Sequence, residues 1–272
     1  MAWNPDDPFP ASAALGETDS GARNLAEYVC SLLTAGPTLV VGTSEVALRA
    51  ARAHPVTVVD WNTRRLRALD GFARERGLEL RALCRDPERE ELPLPGRSFA
   101  NVVVIDALER FSDESGFLEK LHRLLKPEGR LVARVRACPW IHEEGGLPAA
   151  SRRLDAGTLR AALEAAGFRT LQLRHWNFVG VANAFVWDRC LHRPHRDRGG
   201  TPASERPRRW WEGGVDAWFR AVENRVALPV GVSLVCVATP YLEKVRVRER
   251  ELEKGFAGKT ARAAYEPMAT SR

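Results

Sequence analysis

The stretch TLVVGTSEVALRAARAHPVTVVDWN, residues 38–62, decides the fold. An apolar run at Leu39–Val41 breaks at Gly42, a helical pattern occupies Glu45–Ala53, and a second β-branched run follows at Thr57–Val59. Strand, glycine turn, helix and strand in this order form one parallel unit. Gly42 can make the tight bend out of the first strand. The fingerprint GxGxxG is absent, so close approach of the backbone to a pyrophosphate is not supported and NAD and FAD are set aside.

The same alternation continues outward. A helix is expected at Thr63–Arg76, a strand at Glu79–Leu83, and a strand buried on both faces at Ala100–Ile105. The helix SGFLEKLHRLLKP should stop at Pro127 and the Glu128-Gly129 turn, and GRLVARVRA makes the fifth strand. DAGTLRAALEAAG reads as a helix capped by Asp155 and stopped by Gly167, RTLQLRHW as the sixth strand, and GVSLVCVATP as the last. Upstream, ARNLAEYVCSLL puts Leu25, Tyr28, Val29, Leu32 and Leu33 on one face of a packing helix ended by Gly36-Pro37. The pattern is that of a doubly wound α/β sheet.

Residues 177–229 interrupt it. RPHRDRGGTPASERPRR is too rich in Pro, Gly and Arg to bury much apolar area, and a mobile loop is expected between short aromatic helices. The division is a 1–37 N-terminal segment and packing helix, a 38–176 core, a 177–229 insertion or cap, a 230–240 last strand, and a basic, solvated 241–272 tail. Trp176, Phe178, Phe185, Trp187, Trp210, Trp211 and Trp218 gather around the insertion, to line an acceptor pocket or simply to pack its helices.

Composition narrows the function. The 272-residue chain carries a formal charge of +6, which invites a nucleic-acid partner. Up to Asp60, however, three arginines face seven carboxylates. The excess lies in Arg189–Arg225 and the tail, with no stacking motif. Cys30, Cys84, Cys138, Cys190 and Cys236 stand far apart without metal-ligand spacing; reduced thiols in small buried sites, and no metal, are expected. No apolar run reaches the ~18 residues of a membrane span, and the N-terminus lacks a signal-peptide pattern. A cytoplasmic protein is expected.

RDPEREELPLPGRSFANVVVIDALERF…LHRLLKPEGRLVARV, from Arg85 to Val135, resembles the class I S-adenosylmethionine-dependent methyltransferases, in particular those with LPLPDGSFD, LEH and RLLKPGG motifs. The resemblance implies a Rossmann-like, seven-stranded, mostly parallel sheet with an antiparallel last strand, S-adenosyl-L-methionine as cofactor, and methyl transfer to a small-molecule acceptor. By position it assigns Gly42, Thr43 and Ser44 to the methionine end of the cofactor, Asp60 to the ribose and Trp61 to the adenine. Asp86, in a turn shaped by Arg85 and Pro87, would accept from the adenine amino group. Ile105, Asp106 and Ala107 would floor the site beneath the sulfonium.

Asp60 has a second reading, as a cap for the helix near Thr63. The catalytic candidates are Asp106 and His142, a possible general base in the loop CPWIHEEGG beside Glu143 and Glu144. Val40 replaces the family's acid, Ser44 and Val46 its later glycines, Ala100 the aspartate of SFD, and Arg110 the histidine of LEH. These departures leave open a non-catalytic binding or scaffold protein; basic charge alone suggests an RNA methyltransferase.

Overall fold

The computed structural model describes residues 20–42, 44–137, 155–185 and 212–241. Thr43, the loop with His142, Glu143 and Glu144, the 193–209 loop, and the tail after Tyr241 lie outside the described residues.

Seven strands form one sheet: β1 Thr38–Val41, β2 Val56–Asp60, β3 Leu80–Cys84, β4 Phe99–Ile105, β5 Leu125–Arg136, β6 Phe168–Trp176 and β7 Ser233–Pro240. Their order is β3-β2-β1-β4-β5-β7-β6. Neighbours pair in parallel from β3 through β5, whereas β7 runs antiparallel to both β5 and β6. The expected seven-stranded sheet with an antiparallel last strand is therefore present. The order reverses between β1 and β4, whose carboxyl ends lie side by side, and in such sheets that crevice takes the ligand.

The helices are α1 Ser20–Ser31, α2 Glu45–Ala50, α3 Thr63–Glu75, α4 Glu114–Leu124, α5 Ala156–Ala165, α6 Phe178–Phe185 and α7 Glu212–Trp218, the last running into a π-helical turn at Phe219–Glu223. Side chains alternate across the strands, so each strand feeds two cores. Leu39, Val41, Val102 and Val104 pack with Phe117, Leu121, Leu159 and Phe168 on the α4–α5 face. Val40, Val58, Val103 and Val132 pack with Val29, Val46, Leu69, Trp176 and Phe219 on the other. Trp176 is thus a core ring, 4.9 Å from Phe219; Phe178 and Trp218 stand 6.5 Å apart over the insertion's base.

Two boundaries differ from the sequence reading. α1 ends at Ser31, well before Gly36, because the buried Asn101 of β4 takes Thr34 for itself. Its Oδ1 accepts from the Thr34 backbone N–H at 2.9 Å and from the hydroxyl at 3.0 Å, while its Nδ2 donates to the Thr34 carbonyl at 2.7 Å. α4 ends at Leu124 rather than at Pro127, since Leu125 is already extended and pairs with Phe99. Asp155 caps α5 as expected, accepting from the Thr158 N–H at 2.8 Å.

The cysteines divide. Cys236 is buried and Cys30 half-buried, and burial pushes their thiols up to about 12 and about 11. Cys84 corrects the expectation of buried sites: it is exposed at the end of β3, its Sγ 3.2 Å from the Thr63 hydroxyl.

Candidate functional site

The turn after β1 opens the site. Gly42 sits at φ +90°, a conformation side chains rarely adopt, and a Cβ placed on it would meet nothing within 4 Å. Its N–H donates to the Val59 carbonyl at 2.8 Å, so the turn stays fastened to β2 while its front is open. Ser44 begins α2 in extended conformation without a capping bond. Its Oγ is buried and has no partner among the described residues. Val46 does not crowd the turn: it is 2% exposed and points into the core beside Val40 and Val58.

At the end of β2, Asp60 is 3% exposed and accepts the Asn62 N–H at 2.9 Å. Asn62, not Asp60, caps α3, accepting from the Arg65 N–H at 3.0 Å. Asp60 therefore orders the corner that carries Trp61, a residue 37% exposed. After β3, Asp86 accepts from the N–H groups of Glu88 at 3.0 Å and Arg89 at 3.3 Å, and its own N–H donates to Glu90 Oε1 at 3.0 Å. Arg85 pairs with Glu90 at 3.4 Å, and Pro87 is buried. Much of the bonding capacity of Asp86 holds its own turn.

Past the reversal stands a cluster around Asp106, a candidate of the sequence reading, joined by Glu109, Arg134 and Ser233, which the sequence did not point to. Ile105 is half-buried and Ala107 buried. Between them Asp106 adopts φ +51° and forms an ion pair with Arg134 of β5 through Oδ2. Arg134 Nε donates to the Ser233 hydroxyl at the start of β7, 3.0 Å away. Glu109, in the short 3-10 turn Leu108–Arg110, is 6% exposed. Its Oε1 accepts from the Arg136 N–H at 3.1 Å. Neither Glu109 Oε2 nor Asp106 Oδ1 has a partner among the described residues.

Burial pushes the Glu109 carboxyl up to about 6; the nearby Asp106 adds to the rise, while its backbone hydrogen bonds and Arg134 oppose it. Glu109 lies inside the quoted LEH-like motif, but nothing in that motif announces its partners on β5. Among the described residues no three His, Cys, Asp or Glu side chains gather as a metal site.

Residues 39–133 match the family model described as a methyltransferase domain. The fold is similar to that of the [4+2]-cyclase SpnF, at TM-score 0.52 and 21% identity over 79% of each chain. It is also similar to a chain in the Haloferax volcanii complex between the Trm112 methyltransferase activator and a methyltransferase, at TM-score 0.56 and 18% identity over 85% of this chain and 93% of that one. A S-adenosylmethionine-dependent methyltransferase from Clostridium acetobutylicum aligns at TM-score 0.54 with 8% identity, over 84% of this chain and 95% of that one. No curated protein matches the sequence.

The family implies S-adenosyl-L-methionine as cofactor, and the residues present fit it. The space in front of Gly42, the orphaned Ser44 Oγ and the exposed Trp61 ring border the crevice that the fold reserves for such a group. Residues 39–133 thus match a methyltransferase domain, set in a seven-stranded α/β fold that this chain shares with S-adenosylmethionine-dependent methyltransferases.

Proposed function

We propose that the protein transfers a methyl group from S-adenosylmethionine to a small organic acceptor. The observation that carries this reading is the Gly42 turn, held open at the reversal of strand order inside the matched domain. Gly42, Thr43 and Ser44 would hold the methionine end of the cofactor, Asp60 the ribose, and Trp61 and Asp86 the adenine, with Arg85 and Pro87 shaping the last turn. Ile105, Asp106 and Ala107 would lie beneath the reacting methyl. When bound, the cofactor supplies an electrophilic methyl on a sulfonium. The protein's task is then to align the acceptor for in-line attack and to exclude water.

The 177–229 segment would cap the acceptor side. Glu223 supports this placement, since its carboxylate accepts from the Phe178 N–H at 2.6 Å and from the Trp218 Nε1–H at 2.9 Å, clamping both flanks of the insertion together. His142, the base candidate of the sequence reading, lies in a segment outside the described residues, and this reading assigns it no step. Among the described residues no helix is long and apolar enough to cross a membrane, which accords with a cytoplasmic site of action.

A second reading, a non-catalytic binding protein on the same fold, is favoured by one observation: Asp60 and Asp86 both spend hydrogen-bonding capacity on their own turns. Calorimetric titration with S-adenosylhomocysteine separates the two. Asp60→Asn keeps an acceptor for the Asn62 N–H but loses the charge. Micromolar binding by wild type, weakened by about 1.5–3 kcal/mol in Asp60→Asn, is the expected outcome. Absence of binding by wild type would leave the scaffold reading.

A further inference from the structure

We propose that Glu109 accepts the proton of the methyl acceptor, and that this acceptor is protic, presenting an O–H or N–H to Glu109 Oε2. The proposal rests on the methyl-transfer reading and adds to it the chemical class of the substrate.

Glu109 and Asp106 flank Ala107 and Leu108 directly after β4, at the carboxyl end of the strand beside the reversal of strand order. Each carboxylate has one oxygen engaged: Glu109 Oε1 by the Arg136 N–H, Asp106 Oδ2 by Arg134. Each keeps one buried oxygen without a donor among the described residues. A buried acceptor atom left unpaired is destabilising, so two of them in one cluster call for a ligand that brings donors. A thioether or a tertiary amine would leave both unpaired; a hydroxyl or a secondary amine brings a donor for Glu109 Oε2, and a primary amine brings one for each.

The two carboxylates are not equivalent. Asp106 is ion-paired with Arg134, whereas Glu109 makes no ion pair among the described residues. The groups that face Glu109 are Asp106 from the end of β4, and Arg134 and the Arg136 N–H from β5. Burial in this company raises its proton affinity toward neutrality, the range in which a carboxylate works as a general base. In the step itself, an acceptor oxygen or nitrogen bonds to the methyl carbon. The carbon–sulfur bond breaks with its electron pair staying on sulfur, and the acceptor's proton passes to Glu109 Oε2 and then to water.

The test uses the full chain and Glu109→Gln, which preserves shape and the bond from Arg136 but cannot take a proton. The probe is S-adenosylmethionine labelled in its methyl group, mixed with the small-molecule fraction of a cell extract, with products identified by mass. Products methylated on oxygen or nitrogen are expected. Glu109→Gln should lower transfer by about 100-fold with S-adenosylhomocysteine affinity held within about twofold.

A readout independent of activity is the carboxyl carbon resonance of Glu109, expected to titrate near 6 and not with solvated glutamates. Transfer by Glu109→Gln within about threefold of wild type, a product methylated at sulfur, or an ordinary glutamate titration overturns the proposal. Where S-adenosylhomocysteine binds but the extract yields no product, the resonance decides. Failure of wild type to bind S-adenosylhomocysteine overturns the methyl-transfer reading, and the base with it; binding together with an active Glu109→Gln variant removes the base alone.

Discussion

Asn101 and Thr34, far apart in sequence, are joined by three hydrogen bonds, one from the Thr34 N–H at 2.9 Å, one from its hydroxyl at 3.0 Å and one returned to its carbonyl at 2.7 Å. A fourth runs from Asn101 Nδ2 to the Thr38 hydroxyl at 3.0 Å. Asn101 is fully buried, so Asn101→Ala strands polar groups that water cannot reach. Urea denaturation should show a loss of about 2–4 kcal/mol, among the larger costs of a single substitution.

Next to this staple the chain turns at Gly36, where φ is +130° and an added Cβ would come within 2.8 Å of the Ala100 Cβ. Gly36→Ala meets both strain and collision, and should cost about 2–3 kcal/mol. Ala100→Gly in the same chain removes the collision but not the strain. A double-mutant cycle by thermal denaturation should therefore recover only part of the loss.

Introducing at position 40 the acid that the methyltransferase resemblance leads one to expect should be costly here. Val40 is fully buried between Val58 and Val103, its register partners on β2 and β4. A carboxylate there lacks a partner, and Val40→Glu should destabilise by several kcal/mol or fail to fold. Ser44→Gly, by contrast, removes no capping bond and should change stability by only a few tenths of a kcal/mol. Its effect on S-adenosylhomocysteine binding then reads the turn cleanly.

Glu109 also predicts a pH dependence of stability. Its folded value, about 6, lies above the ordinary 4.5. Its contribution to stability is therefore fully present below 4.5 and is lost as pH rises through about 6. The swing is about 2 kcal/mol. Glu109→Gln should remove it, so that the difference in unfolding free energy between variant and wild type shifts by about that amount across this window. Parallel curves across the window would contradict the placement.

The order of strands and helices was legible because it rests on local periodicity and on breakers such as Gly42, Asp155 and Gly167, whose effects act within a few residues. So was the placement of Gly42 and Asp60 at the carboxyl edge of the parallel sheet, since one follows the first strand and the other ends the second. The direction of Val46, into the core instead of over the turn, came only from how α2 docks on the sheet. The end of α1 was set by Asn101 on β4, and the site's acidic cluster by Arg134 and Arg136 on β5 together with Ser233 on β7. No helical or strand period encodes these pairings. They follow from the register that brings Ile105 beside Arg134, and Arg136 beside Ser233, and register is settled when whole strands pack into one sheet.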